Sequence, residues 1–132
     1  MALPIEEHLE IMTEYGRAFA YLNLLDSTLN LVLSTKGELR NAHMLMVNEI
    51  LDEMMMGKKI KLAERFLSKN LIDNLWKLND QRVLLAHGIT GGGNELTIFH
   101  KRKAEPFTKA FLIKISESAK TLHDQIIQEI IS

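Results

Sequence analysis

The sequence predicts an all-α fold, an up-and-down bundle of about five helices, on the strength of three observations. Apolar residues recur at helical spacing over most of the 132 residues. Four of the seven glycines lie between residues 88 and 93, so the strongest helix breakers are concentrated in one place. Both prolines stand near the beginning of an apparent helix. We therefore expect long helices, with one short extended excursion between the fourth and the fifth.

Length and composition bound the class of protein. A chain of 132 residues with 46% hydrophobic and 25% charged residues suits a single soluble domain that spans residues 1–132. The net charge is -1, so nucleic-acid binding needs a local basic patch. There are no cysteines, which excludes disulfides and thiolate chemistry and fits the cytoplasm. No run reaches the roughly 18 apolar residues of a membrane span, and the acidic N-terminus is unlike a signal peptide, so we expect no membrane association.

The first helix is expected from about residue 4 to Ser34. Pro4 pre-sets its first turn, and apolar residues follow at helical spacing from Leu9 to Val32. Further apolar residues widen the stripe beyond one packing face. Such a pattern indicates either a second face buried against a partner copy or a central helix enclosed by its own bundle. These further residues are Tyr15, Tyr21, Leu24, Leu31 and Leu33.

Glycines separate the next two helices. Gly37 closes the first helix, and the second is expected from about Glu38 to Met55, where Gly57 ends it. A short third helix follows from Lys58 to Leu67. Its cations either form a solvated face or contact phosphate. They are Lys58, Lys59, Lys61 and Arg65.

The fourth helix is followed by a segment of different character. Asn70 is expected to cap this helix, which runs to about His87 and is released by the next glycine. Residues 89–105 combine a glycine triplet with alternating β-prone residues, which predicts a short extended piece or a hairpin arm. A last helix is expected to open at Pro106 and Thr108 and to run to about Ile131.

The candidate functional residues lie in the C-terminal half of the fourth helix. Arg82 and His87 stand five positions apart, so their side chains point about 140° apart on one helix. A single copy cannot easily grip one small group with both. Two copies that meet at a two-fold axis bring His87 of one copy towards Arg82 of the other. Asn79 and Asp80 precede Arg82 by one turn or less and are supporting candidates that can hold it.

These residue types suit the cleavage of RNA without a metal. An imidazole titrates near neutral pH, so it can take the proton of a ribose 2′-hydroxyl or give one to a leaving oxygen. A guanidinium can hold the phosphate whose charge grows in the transition state. The alternative is structural: His87 caps carbonyls at the helix end, and Arg82 pairs with Asp80 or with a glutamate of a neighbouring element.

Two further patterns concern RNA and metals. The basic run after the extended segment either tracks an RNA backbone or is simply solvated. No histidine has the Glu-x-x-His spacing of a metal site in a helical bundle, and no phosphate-binding Gly-x-x-x-x-Gly-Lys loop is present, so we expect neither a metal nor another cofactor. The basic run consists of Lys101, Arg102 and Lys103.

Residues 79–88, Asn-Asp-Gln-Arg-Val-Leu-Leu-Ala-His-Gly, resemble the Arg-x(4–6)-His signature of HEPN domains, with four residues between Arg82 and His87. They also stand late in a helix, before a loop and a final helix, as in that family. The resemblance implies a homodimeric ribonuclease of the toxin–antitoxin, abortive-infection or phage-defence type. In it, Arg82 would orient and stabilise the phosphate, and His87 would act as general base or acid. An antitoxin or regulatory protein would be a further partner.

Two positions depart from the family's pattern. The residue after the arginine is often polar in active members and is Val83 here, and the tyrosine that the toxin branch frequently places two residues after the histidine is Ile89. Either departure is compatible with a weakened enzyme or with the alternative, a catalytically inactive HEPN-like module for dimerisation, protein interaction or transcriptional regulation.

Overall fold

The computed structural model describes residues 5–36, 50–51, 54–87, 89–92, 95–100, 103–106 and 108–131. This part of the chain is mainly helical, which agrees with the predicted all-α class. The second predicted helix, Glu38 to Met55, lies mostly outside the described residues, so the count of five is not confirmed, although residues 50 and 51 are helical. The described helices are α1 (Ile5–Lys36), α2 (Met56–Ala63), α3 (Lys69–His87) and α4 (Lys109–Ile131).

The described residues between α3 and α4 form three antiparallel strands, of which the first two contact α3. The register pairs Ile89 with Ile98 in the first hairpin and His100 with Lys103 in the second. Pro106 was predicted to open a helix, and this prediction is wrong, because Pro106 is the last residue of the third strand. A proline is tolerated there because the strand lies at the edge of the sheet. The strands are β1 (Ile89–Gly92), β2 (Glu95–His100) and β3 (Lys103–Pro106), in that order across the sheet.

The N-terminal cap of each long helix after α1 can be read from its hydrogen bonds. Thr108 caps α4, since its Oγ1 accepts a hydrogen bond from the Phe111 amide at 3.2 Å. The cap of α3 is Ser68, whose Oγ accepts from the Leu71 amide at 3.5 Å, and not Asn70, which lies within the first turn. The Ser68 amide in turn donates to Glu129 at 3.0 Å, which ties the start of α3 to the end of α4.

The core forms mainly between α1 and α4. Helical spacing puts one apolar stripe of each helix against the other, and these side chains are withdrawn from water. A polar contact crosses the same interface, since Oγ1 of Thr28 lies 2.7 Å from Nδ1 of His123. The buried stripe consists of Ala18, Leu22, Leu25, Leu29 and Val32 on α1, and of Leu112, Ile115, Ala119, Leu122 and Ile126 on α4.

The apolar residues that widen the stripe of α1 divide into two groups. Tyr15 and Tyr21 pack against the core and Leu33 is buried, so the bundle itself covers these three. Leu24 and Leu31 are 41% and 43% exposed. The bundle therefore accounts for most of the second face, and two leucines one heptad apart are left in contact with solvent.

Helix α2 carries a buried charge. Lys59 shares one helix face with Met56, Ile60 and Ala63, so it is carried into the interior and does not belong to a solvated face. Its side chain is 2% exposed, and its Nζ lies 2.7 Å from Oδ2 of Asp26 on α1. A buried ammonium is tolerated when a counter-charge meets it at such a distance, so this ion pair anchors α2 to α1.

The two partners of this pair differ in burial, since the Asp26 side chain is 34% exposed. Asp26→Ala leaves an uncompensated ammonium in the interior, and we expect it to lower the free energy of unfolding by about 3 kcal/mol. Lys59→Met removes the buried charge and leaves a carboxylate that reaches water, so we expect a change of about 1 kcal/mol or less. Urea denaturation, monitored by circular dichroism, measures the free energy of unfolding of both variants. Equal losses in the two variants would contradict this account.

Candidate functional site

A cleft of about 640 Å³ lies between the N-terminal end of α2 and the C-terminal half of α3. Its volume falls within the range of roughly 300–1,000 Å³ that is common for ligand sites. The polar part of its lining comes from Lys58 on α2 and from Asn79 and Arg82 on α3. The apolar part consists of Ile50, Met54, Met55 and Val83, and Gly57 also lines the cleft.

The spacing of residues on α3 explains why this face of the helix forms one wall. Asn79, Arg82 and Val83 stand at positions i, i+3 and i+4, so their side chains lie side by side. All three are half-buried. The wall therefore combines an amide, a guanidinium and an apolar group within about one helical turn.

The first turn of α2 lies against α3 beside this wall, at Gly57. A Cβ at Gly57 would lie 3.5 Å from the Trp76 ring and 3.6 Å from Nδ2 of Asn79, so the first turn of α2 is in close contact with α3. The sequence predicted that this glycine ends a helix, and that prediction is wrong. Met55 is extended, with φ -72° and ψ 151°, and α2 begins immediately after it.

Arg82 and Lys58 face the same cleft. Among the described residues, no hydrogen bond or ion pair engages either side chain, and Asp80 is exposed on α3 and does not line the cleft. A half-buried guanidinium is costly unless an anion or water meets it. The arrangement suits a ligand with an anionic group and an apolar body.

His87 is the last residue of α3. The helix places it on the same ridge as Asn79 and Val83, one turn or about 6 Å beyond Val83. Its side chain lies outside what the structure describes, as does that of Lys103 at the start of β3. The structure thus brings Arg82 and Asn79 together in one cleft, and the roles of His87 and of the basic run stay predictions.

Lys101 and Arg102 lie outside the described residues. Within the described ranges there is no group of three or more histidine, aspartate or glutamate side chains that could hold a metal ion. None of the helices described is long and apolar enough to cross a membrane.

The sequence did not single out Lys58 among the cations of α2. Neighbouring residues on a helix point about 100° apart, so Lys58 faces the cleft while Lys59 points into the core. The 3.6-residue pattern of α2 contained this difference, because Lys59 shares the buried stripe of Ile60 and Lys58 does not. The pattern of α2 alone could not show that α3 forms the other wall of the cleft.

No protein-family model, curated protein or solved structure matches the chain. The likeness to HEPN domains thus rests on residues 79–88 and on their position before the extended segment and the last helix.

The start of α2 offers a test of this local geometry. Met55 holds the N-cap position without a side-chain hydrogen bond to the helix, and it is 73% exposed. Met55→Asn supplies an oxygen that can accept a hydrogen bond from the first-turn amides, so we expect the free energy of unfolding to rise by about 1 kcal/mol. Met55→Ala, which cannot cap, is the control. Urea denaturation should show the gain for asparagine alone, and a loss of stability with asparagine would mean that α2 begins elsewhere.

Proposed function

We propose that the protein is a metal-independent endoribonuclease that acts on RNA as a homodimer, in the manner of the HEPN-like toxins of cytoplasmic toxin–antitoxin or phage-defence systems. One observation carries the proposal. The half-buried Arg82 lines a cleft with Lys58 and Asn79, and His87 stands five residues, about 1.4 turns, beyond Arg82 on the same helix. The cations of the cleft suit the phosphate of a nucleotide, and its apolar lining suits the base or the ribose. The histidine supplies proton transfer.

The separation of the two motif residues supports a dimer. Arg82 and His87 point about 140° apart on α3, so one copy does not present both to a single phosphate. A two-fold axis near the C-terminal end of α3 would place His87 of one copy opposite Arg82 of the other. Each dimer would then contain two composite sites of identical composition.

The reaction that these groups serve is a transfer of the phosphoryl group within RNA. His87 takes the proton of the ribose 2′-hydroxyl, the 2′-oxygen bonds to phosphorus, and the bond from phosphorus to the 5′-oxygen breaks. The leaving oxygen is protonated by an imidazolium or by water. Arg82 donates hydrogen bonds to the non-bridging oxygens as their charge grows. The products are a 2′,3′-cyclic phosphate and a 5′-hydroxyl.

Substitution of the motif residues tests the activity. We expect the purified protein to cleave RNA in the presence of EDTA, and Arg82→Ala and His87→Ala each to lower the rate by about a hundredfold or more. Lys77→Ala is the matched control, because Lys77 is exposed on the same helix and does not line the cleft. Product ends are assigned by their sensitivity to phosphatase before and after acid opening of the cyclic phosphate. Unchanged cleavage in both motif variants would place the activity elsewhere.

Mixing the two inactive variants tests the composite site. A heterodimer of Arg82→Ala and His87→Ala chains has one site in which both motif residues are intact. If subunits exchange at random, we expect about a quarter of the wild-type rate to return, because half of the dimers are mixed and each has one working site. No recovery, with subunit exchange verified by differently tagged chains, would mean that both residues act within one protomer.

A second function, a non-catalytic HEPN-like module that binds a protein, is favoured by a feature of α1. Uncharged side chains recur along one exposed face of this helix, and Leu24 points about 180° away from Tyr15, which packs near Leu85 of α3. This face is thus remote from the cleft and could bind a regulatory partner. A dimeric wild type that leaves varied RNAs intact would favour this function. The face comprises Leu9, Thr13, Gly16, Ala20, Leu24, Ser27 and Leu31.

A further inference from the structure

We infer that Lys58 is a second phosphate-binding residue of the cleft, so that the cleft holds a nucleotide of single-stranded RNA adjoining the phosphate at Arg82. The inference rests on the proposed function and extends it to a residue on a different helix, outside residues 79–88. It assigns the α2 side of the cleft to substrate binding, where it would help to position the strand for cleavage.

The three lysines of α2 occupy three different environments. Lys59 is buried and paired with Asp26, and Lys61 is exposed and not part of the cleft lining. Lys58 is exposed and lines the cleft. Of the three lysines, Lys58 is therefore the one that shares the cleft with Arg82, and no ion pair engages it among the residues that the structure describes.

The two cations complement each other chemically. The guanidinium of Arg82 is a planar fork suited to two oxygens of one phosphate, whereas the ammonium of Lys58 is a compact charge on a flexible chain. Two positive groups that face one cleft repel each other, and an anion between or beside them offsets that repulsion. An RNA backbone supplies such anions at regular intervals.

The rest of the lining suits the remainder of a nucleotide. Met54 and Val83 are half-buried apolar groups on either side of the cleft. Methionine is flexible and polarizable, so it adapts to a flat base or a ribose without demanding one sequence. An acidic peptide would use the cations but would leave much of this apolar surface without a matching group, so RNA is the better fit.

Met55 allows the charge of the cleft to be changed without disturbing the fold. It lines the cleft, is largely exposed and holds the N-cap position of α2. Asparagine and aspartate cap helices about equally well. Met55→Asp and Met55→Asn therefore form a pair that differs by one negative charge beside Lys58, with the helix start preserved in both.

Binding is measured with a short, fluorescently labelled, single-stranded 2′-O-methyl RNA, which lacks the 2′-hydroxyl nucleophile and so is not cleaved. Fluorescence anisotropy is recorded over a series of salt concentrations. We expect Lys58→Gln to weaken binding by about threefold to tenfold and to reduce the slope of log affinity against log salt by about 0.7. We expect Lys61→Gln to bind like the wild type, and Met55→Asp to bind more weakly than Met55→Asn. Circular dichroism verifies that each variant is folded.

The outcomes separate this inference from the proposed function. If Lys58→Gln binds as Lys61→Gln does, the inference is overturned, even where the wild type cleaves RNA. If binding depends on Lys58 but the wild type does not cleave, the inference stands and the catalytic proposal fails. If a labelled polyglutamate peptide binds more tightly than the RNA, and does so through Lys58, the ligand is an acidic peptide and the inference is likewise overturned.

Discussion

The cleft depends on the ion pair that fastens α2 to α1. Lys59 and Asp26 meet at 2.7 Å with the lysine withdrawn from water, so rotation or displacement of α2 would strand a charge in the interior. That constraint fixes which side of α2 turns towards α3. The first turn of α2 also lies beside Trp76 of α3, at the distance of an ordinary van der Waals contact from a Cβ placed on Gly57. The position of Lys58 opposite Arg82 follows from these two contacts.

Adjacent residues of one short helix thereby acquire unrelated roles. Lys59 stabilises the fold through a fixed partner, and Lys58, one position earlier, points to the cleft. A substitution of Lys59 changes the free energy of unfolding, whereas a substitution of Lys58 changes the electrostatic potential in the cleft. The same separation holds on α3, where Arg82 faces the cleft and Leu85 is part of the core.

Periodicity predicted the features that depend on local sequence. The helical class, the extended segment after α3 and the cap at Thr108 follow from spacing, from the glycine cluster and from side-chain capping chemistry. The cap of α3 is Ser68 and not the predicted Asn70. Glu129, distant in sequence, accepts a hydrogen bond from the Ser68 amide and so supports a helix that begins one residue after Ser68. Local patterns contain no information about such a partner.

The site was predictable to the same extent. Residues three or four positions apart on a helix are neighbours, so the proximity of Asn79 and Arg82 could be predicted from their spacing. The opposite wall could not, because Lys58 and Met54 reach it only through the docking of α2. The interior position of Lys59 was also missed, since a lysine next to other lysines is typical of a solvated surface and its counter-ion lies on another helix.

The brevity of α2 has a consequence for affinity. A helix of eight residues is too short to persist in water alone, so it exists while it is docked on α1 and α3. Detachment of α2 would remove Lys58 from the cleft and leave Arg82 on its long helix. The apparent dissociation constant of any ligand that spans both walls therefore includes the docking equilibrium of α2, and such a ligand in turn slows amide hydrogen exchange in that helix.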